Sequence, residues 1–333
     1  MKELTKRKIK NNARPYLYSS LSLILIFLII VFPILYTFYI SFTNMNLYHW
    51  YDFTFIGFEN YMRALFSFDS GFLTSLGITI LWTLINMVIQ LVLAYCIALL
   101  LNSKNLKFSK FYKTLLMIPW AIPGYVSILL WKTGMFNYQF GLINKWFNDL
   151  GIVVDDLLSN SVSAFICCTV VNLWLALPYM IMIIDGALQA IDKSFYESAE
   201  IEGCGRIRKN IAITVPLIKP IIGPAVLITI FTTFKQFDII YLLTKQPVNT
   251  GANISTIITY AYENAFITSN YGYSSAVSII IFALLVIFSS LTNDNIKRKS
   301  TLCRRERPRE DLVRRTVAVA LWRDLQLLSD SRR

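Results

Sequence analysis

Charge is scarce in this chain: 16% of its residues are Asp, Glu, Lys or Arg, against about 25% in soluble domains. Histidine occurs once, at His49. That excludes histidine-based catalytic triads and multi-histidine metal sites. The five cysteines form no CxxC pair. Cys96, Cys167 and Cys168 fall in apolar runs, Cys204 in a polar segment and Cys303 near the end, so neither a disulfide framework nor a metal site is indicated. No G-x-x-x-x-G-K-[ST] occurs, so the chain has no phosphate-cradling loop with which to hydrolyse a nucleotide.

What is abundant is apolar sequence, at 55% of residues. Five stretches carry no charge over 16–42, 71–101, 114–131, 157–184 and 265–292, and a sixth over 213–234 holds only Lys219. A bilayer crossing needs about 20 such residues. Inside lipid the backbone must satisfy its own hydrogen bonds, so these runs are predicted to be helices. The expected fold is all-α, a polytopic membrane protein with six transmembrane helices. The first run is too long for a signal-peptide core and lacks a small-residue cleavage site, so it reads as a retained span.

Lys and Arg mark the cytoplasmic side. The start, loop 102–113, segment 185–210 and Lys297-Arg298-Lys299 together hold seventeen basic residues, while the alternate loops hold four: Arg63, Lys132, Lys145 and Lys245. Both termini and the polar segment around residue 200 are therefore expected in the cytoplasm of a multi-pass plasma-membrane protein. The net charge of +12 is read as this topology signal and as contact with anionic lipid headgroups. Basic residues spread over every inner loop, without a single stripe, argue against nucleic-acid binding.

The expected organisation is a cytoplasmic start 1–15, a six-helix body 16–292 and a cytoplasmic tail 293–333. Arginine usage changes at the tail: from Ser300 onward there are nine Arg and no Lys. A foreign or disordered end and an ordinary basic tail both fit, and 313–328 could lie on the membrane as an amphipathic helix.

The polar segment is the most informative part. Ser194-x-x-Glu197 has the form of a capping box, Gly203 supplies a helix stop, and Ile207, Ile211 and Val215 open a second helix that Pro216 is expected to break. A capped inner loop with no partner fits this pattern as well as a docking element does. Glu197-Ser-Ala199-x-Ile201-Glu202-Gly203-Cys204, followed at a fixed distance by Ile213-Thr-Val-Pro216, resembles the EAA signature of binding-protein-dependent ABC importer permeases. That family reads Glu-Ala-Ala, then Asp-Gly-Ala, then Ile-x-Leu-Pro. Ser198 and Cys204 stand for alanines, Glu202 for aspartate and Asn210 for an aromatic. Ser41-Phe-Thr and Phe55-Ile-Gly57-Phe-Glu59-Asn60-Tyr61 resemble the first outer loop of the sugar permeases of this superfamily, and Ile118-Pro119-Trp120-Ala-Ile-Pro123, Asn172-Leu-Trp174 and Phe234-x2-Phe237-Asp238 resemble its maltose type.

The resemblance implies a type I importer permease fold with cytoplasmic coupling helices in loop 191–216, no cofactor and no enzymatic activity of its own. It implies a second permease subunit, a dimer of ATP-binding subunits beneath, and an extracytoplasmic solute-binding protein delivering a sugar such as a maltodextrin. Glu197, Ala199, Glu202, Gly203 and Pro216 would engage the ATPase. Intramembrane polar groups default to functional sites, and Asn172, Trp174 and Tyr179 fall mid-span in the fourth run. Matched to the family's sugar site, the pathway would comprise Trp120, Gly124, Asn172, Leu175, Ala176, Tyr179, Thr232, Thr233 and Gln236. Alternatively, Lys235 and Asp238 simply pair across one helical turn. Other readings of the whole are a permease for glycerol phosphate, a membrane scaffold without transport, and a membrane enzyme using Lys235 with Asp238.

Overall fold

A computed structural model of the chain describes residues 18–67, 71–103, 106–152, 155–245, 252 and 254–292. The start 1–15, the tail 293–333 and the amphipathic stretch 313–328 lie outside the described residues. No strand forms among the described residues, and one isolated bridge joins Thr43 to Phe55. Among the described residues five helices are long and apolar enough to cross a membrane, and a bent pair makes a sixth candidate.

Helix α1 covers Tyr18–Ile40. A short helix α2, Glu59–Phe66, precedes α3, Phe72–Leu101. The third apolar run is not one straight helix. It bends by 92° between α4, Ser109–Ala121, and α5, Gly124–Met135. Pro123 explains the break: the residue before a proline is pushed out of the helical region, and Ile122 is extended with ψ at 137°. After α6, Leu142–Asp149, the long helix α7 runs over Ser161–Gln189 and is capped at its start by Asn160. Helix α8, Lys193–Ile201, is the polar segment.

Helix α9 runs over Arg206–Thr244. Pro216 was expected to break it and does not. A π-helical turn, Asn210–Thr214, comes immediately before Val215–Phe234, where Pro216 sits in the first turn. The wider turn accommodates a residue that cannot donate a backbone hydrogen bond, and the helix continues through Pro220 and Pro224. A short interruption at 235–237 follows. The last apolar run is also divided. Helix α10, Ile257–Tyr262, continues in a π turn, Glu263–Ile267, and α11, Tyr271–Thr292, begins after a turn. Ala265 thus belongs to the earlier helix. The absence of charge hid the turn, where Ser269 adopts φ of 53° and the Asn270 side chain accepts from the Tyr273 N–H at 3.3 Å.

The chain divides into a body, Met1–Ile279, and a second unit, Ile280–Arg333. Within the body α3, α7 and α9 pack against one another. The α3 side chains buried there recur at helical spacing: Ser75, Thr79, Trp82, Thr83, Asn86, Gln90, Ala94 and Ala98. Small residues at the end of this stripe allow close backbone approach. The loop after α1 is clasped from two sides. Asn60 donates to the carbonyls of Ser41 and Thr43 at 3.0 and 2.9 Å, and the Ser41 and Tyr61 hydroxyls lie 2.6 Å apart. Gly272 donates to the Met45 carbonyl at 2.8 Å. A Cβ there would lie 2.2 Å from the Thr43 oxygen, so only glycine fits without a shift.

Candidate coupling elbow and membrane pathway

Helix α8 is fixed by local bonds at both ends. Its N-cap is Asp192, whose carboxylate accepts the Ser194 N–H at 3.0 Å. The capping box expected at Ser194 and Glu197 is therefore shifted: Ser194 lies inside the first turn. The carboxylate two residues upstream reaches that orphan N–H directly. This hydrogen bond holds the Asp192 carboxyl below the ordinary aspartate range. At the other end Gly203 takes φ of +73°, the Cys204 N–H bonds to the Ala199 carbonyl at 2.9 Å and the Gly203 N–H to that of Glu200 at 3.0 Å. These are the two bonds of a Schellman motif, and the left-handed residue between them favours glycine.

Two side-chain links tie α8 to the start of α9. Lys209 pairs with Glu200 at 2.7 Å, and the Tyr196 and Thr214 hydroxyls lie 3.0 Å apart. Ala199 is buried beneath the helix, whereas Glu197, Glu202 and Pro216 are exposed. So are several large apolar side chains: Phe195 at 52%, Ile201 at 89%, Ile207 at 76% and Ile211 at 67%. A rigid elbow that presents carboxylates among uncovered apolar groups has the chemistry of a docking surface.

The predicted pathway residues divide into two groups. Trp120, next to the α4–α5 bend, is 60% exposed. Gly124 opens α5 and has no atom within 4 Å of where a Cβ would stand. Thr232 is exposed, and Tyr179 and Gln236 are half-buried. The others are engaged in holding helices together. Asn172 is buried and donates to Asn86 Oδ1 at 2.8 Å. Leu175 packs against the core around Trp82 and Ile128. The Ala176 carbonyl accepts from Gln90 Nε2 at 3.0 Å, and the Thr233 carbonyl from Trp82 Nε1 at 3.2 Å. Trp174 stands edge-on to Trp131 with centroids 5.9 Å apart. Lys235 and Asp238 form no ion pair among the described residues; the Lys235 N–H closes the helix before it on the Phe231 carbonyl.

Sequence reasoning missed Asn86 and Gln90, amides four residues apart in an uncharged run. That spacing puts them on one helix face and could have pointed to them. It also missed Asp185, which ends the fourth run. It is 4% exposed, and its carboxylate accepts from Lys113, Asn102 and Gln189.

Residues 90–301 match the model of the family described as "Binding-protein-dependent transport system inner membrane component". The chain is 31% identical over 292 residues to the galactooligosaccharides transport system permease protein GanP of Bacillus subtilis, covering 82% of this chain and 67% of that protein. It is 30% identical over 269 residues to the trehalose/maltose transport system permease protein MalF of Thermococcus litoralis, covering 81% and 88%. It is 35% identical over 265 residues to the sulfoquinovosyl glycerol transport system permease protein SmoG of Agrobacterium fabrum, covering 78% and 83%. Among solved structures, a chain of a bacterial ABC transporter importing the acidic polysaccharide alginate superposes with a TM-score of 0.73. It is 18% identical, with 87% of this chain and 99% of that one covered, and shows the same fold.

Proposed function

Because this chain belongs to the family of binding-protein-dependent transport system inner membrane components, we propose that it is the permease subunit of an ATP-driven importer for an oligosaccharide. The observation that carries this reading is the kinship itself: relatives named for sugar or glycoside transport match about four-fifths of the chain. On this reading ATP hydrolysis belongs to separate subunits, in keeping with a sequence that carries no G-x-x-x-x-G-K-[ST]. The exposed elbow, with Glu197, Glu202 and Gly203 beside Phe195, Ile201 and Ile207, supplies the surface on which a dimer of those subunits docks.

A second permease subunit pairs with this one, and an extracytoplasmic binding protein delivers the sugar. On this reading α8 faces the cytoplasm, in keeping with the basic residues of the loops on its side. Trp120, Gly124, Tyr179, Thr232 and Gln236 form the accessible part of the pathway. Asn172, Leu175, Ala176 and Thr233 shape its wall from the packed side. Aromatic faces and amide or hydroxyl groups suit an uncharged sugar, whereas a phosphate ester would call for more cations than Lys235.

The test is reconstitution with the neighbouring subunits and binding protein, followed by a screen of maltodextrins and galacto-oligosaccharides for stimulated ATP hydrolysis and uptake. Stimulation with uptake supports the proposal. Assembly with no stimulation by any carbohydrate overturns the sugar assignment.

A further inference from the structure

Three helix ends meet at one carboxylate. Asp185, on the last turn of α7, lies between α3 and α4 with its side chain 5% exposed. Each of its oxygens accepts two hydrogen bonds. Oδ1 accepts Asn102 Nδ2 at 2.7 Å and Lys113 Nζ at 2.7 Å; Oδ2 accepts Lys113 Nζ at 2.8 Å and Gln189 Nε2 at 2.7 Å. Asn102 is the C-cap of α3 and also donates to the Ala98 carbonyl at 2.9 Å. The Ser109 hydroxyl, at the start of α4, donates to the Leu101 carbonyl at 2.7 Å. The junction therefore joins α3, α4 and α7 through one charged pair and its amide neighbours.

The position of this junction matters more than its strength. Asp185 and Gln189 lie a few residues before Asp192, the cap of α8, so a push on α8 reaches Asp185 through a short connection. Lys113 lies on the same helix, α4, as Trp120, and α4 ends at the bend before Gly124. We propose that the Asp185–Lys113 junction is a positioning element that carries displacement of the α8 elbow to the bent α4–α5 segment and hence to the sugar pathway. A buried ion pair contributes little net stability compared with apolar residues of the same volume, while its charge-assisted bonds fix geometry. The four short bonds on one carboxylate suit that second role. This inference rests on the reading of α8 as the ATPase-docking element.

The experiment uses the complete transporter in proteoliposomes, with maltotriose or a galacto-oligosaccharide, whichever stimulates ATP hydrolysis by the unmodified transporter. Uptake per ATP hydrolysed is compared among variants. Asp185→Asn lowers that ratio by about tenfold, a size typical of lost coupling between sites. Asp185→Glu recovers most of it, because the carboxylate remains. Unpairing a buried charge can prevent folding, so the double variant Asp185→Leu with Lys113→Met removes both charges together. It is expected to assemble and to show the same low ratio. A normal uptake-to-ATP ratio in either assembled variant overturns the proposal and leaves the junction as packing alone. If no sugar stimulates the unmodified transporter, the functional reading fails, and the junction's coupling role fails with it.

Discussion

Around α8 the polar groups face outward, and along α3 they are buried. The elbow satisfies its backbone locally, through Asp192 and Gly203, and leaves Glu197, Glu202, Phe195 and Ile201 uncovered. The α3 seam covers nearly everything it carries. Thr79 Oγ1 accepts the Ile257 N–H of α10 at 2.8 Å, Trp82 donates to α9, Asn86 accepts from α7 and Gln90 donates to α7. Successive turns of α3 thus hold α10, α9 and, twice, α7. In lipid a polar group gains by finding a protein partner; at the aqueous surface it can stay free for another subunit. If an ATPase docks on the elbow as proposed, the two regions should fail in opposite ways: seam variants by losing stability, elbow variants by losing stimulated ATP hydrolysis.

The largest loss of stability is expected at Trp82. It is fully buried, its indole N–H donates to Thr233, and its ring stands edge-on to Phe165 with centroids 5.6 Å apart. Trp82→Ala should cost about 3–5 kcal/mol, as for large aromatic truncations in cores. Thermal unfolding in detergent measures it. A midpoint within a degree of the unmodified protein would break the description of α3 as the scaffold.

Next in size is the amide pair. Asn172→Ala and Asn86→Ala each remove one side of the 2.8 Å bond. A double-mutant cycle should return a coupling of about 0.6–1.7 kcal/mol, the range for hydrogen bonds between membrane helices. Additive losses would mean the pair is incidental and would free Asn172 for the pathway role alone.

The two regions also differ in how far sequence disclosed them. The elbow was legible because its signals are local: a glycine at positive φ, acids at fixed offsets and a helix break between apolar runs. Even so, the cap was misplaced by two residues, since Asp192 and Ser194 are both competent N-caps and only backbone geometry chooses between them. The six apolar runs were legible by length, but the 92° bend at Pro123 and the turn at 268–270 were not, because hydropathy is blind to direction. The seam and the Asp185 junction were largely illegible. Their partners on other helices lie 72 to 178 residues apart in the chain, and only packing brings them together.

Glu197→Ala sharpens the contrast from the other side. Its carboxylate is exposed, and an exposed helix site tolerates alanine within about 0.5 kcal/mol. The unfolding midpoint should stay put while sugar-stimulated ATP hydrolysis falls at least about fivefold, the lower end of typical coupling. Normal stimulated hydrolysis in an assembled transporter would remove the docking role from this residue.

The smallest effect is set by pH, and it separates the regions by which groups titrate. Asp192 is the cap of α8, and its folded pKa is depressed by the bond from the Ser194 N–H. A depressed carboxyl contributes its stabilisation fully above its unfolded pKa, about 3.9 for aspartate, and loses it as pH falls through the lower folded value. Acidification should therefore loosen the first turn of α8. The polar seam of α3, built from hydroxyls, amides and an indole, has no carboxylate to protonate and should not respond. Amide exchange at Ser194 measures this when compared at each pH with Asp192→Asn, which keeps a capping oxygen without a titrating proton. Protection should decline in acid for the unmodified chain relative to the variant. Curves that stay parallel to low pH would show that the Asp192 charge adds nothing to the cap, and the elbow would then be held by its Schellman end and its links to α9 alone.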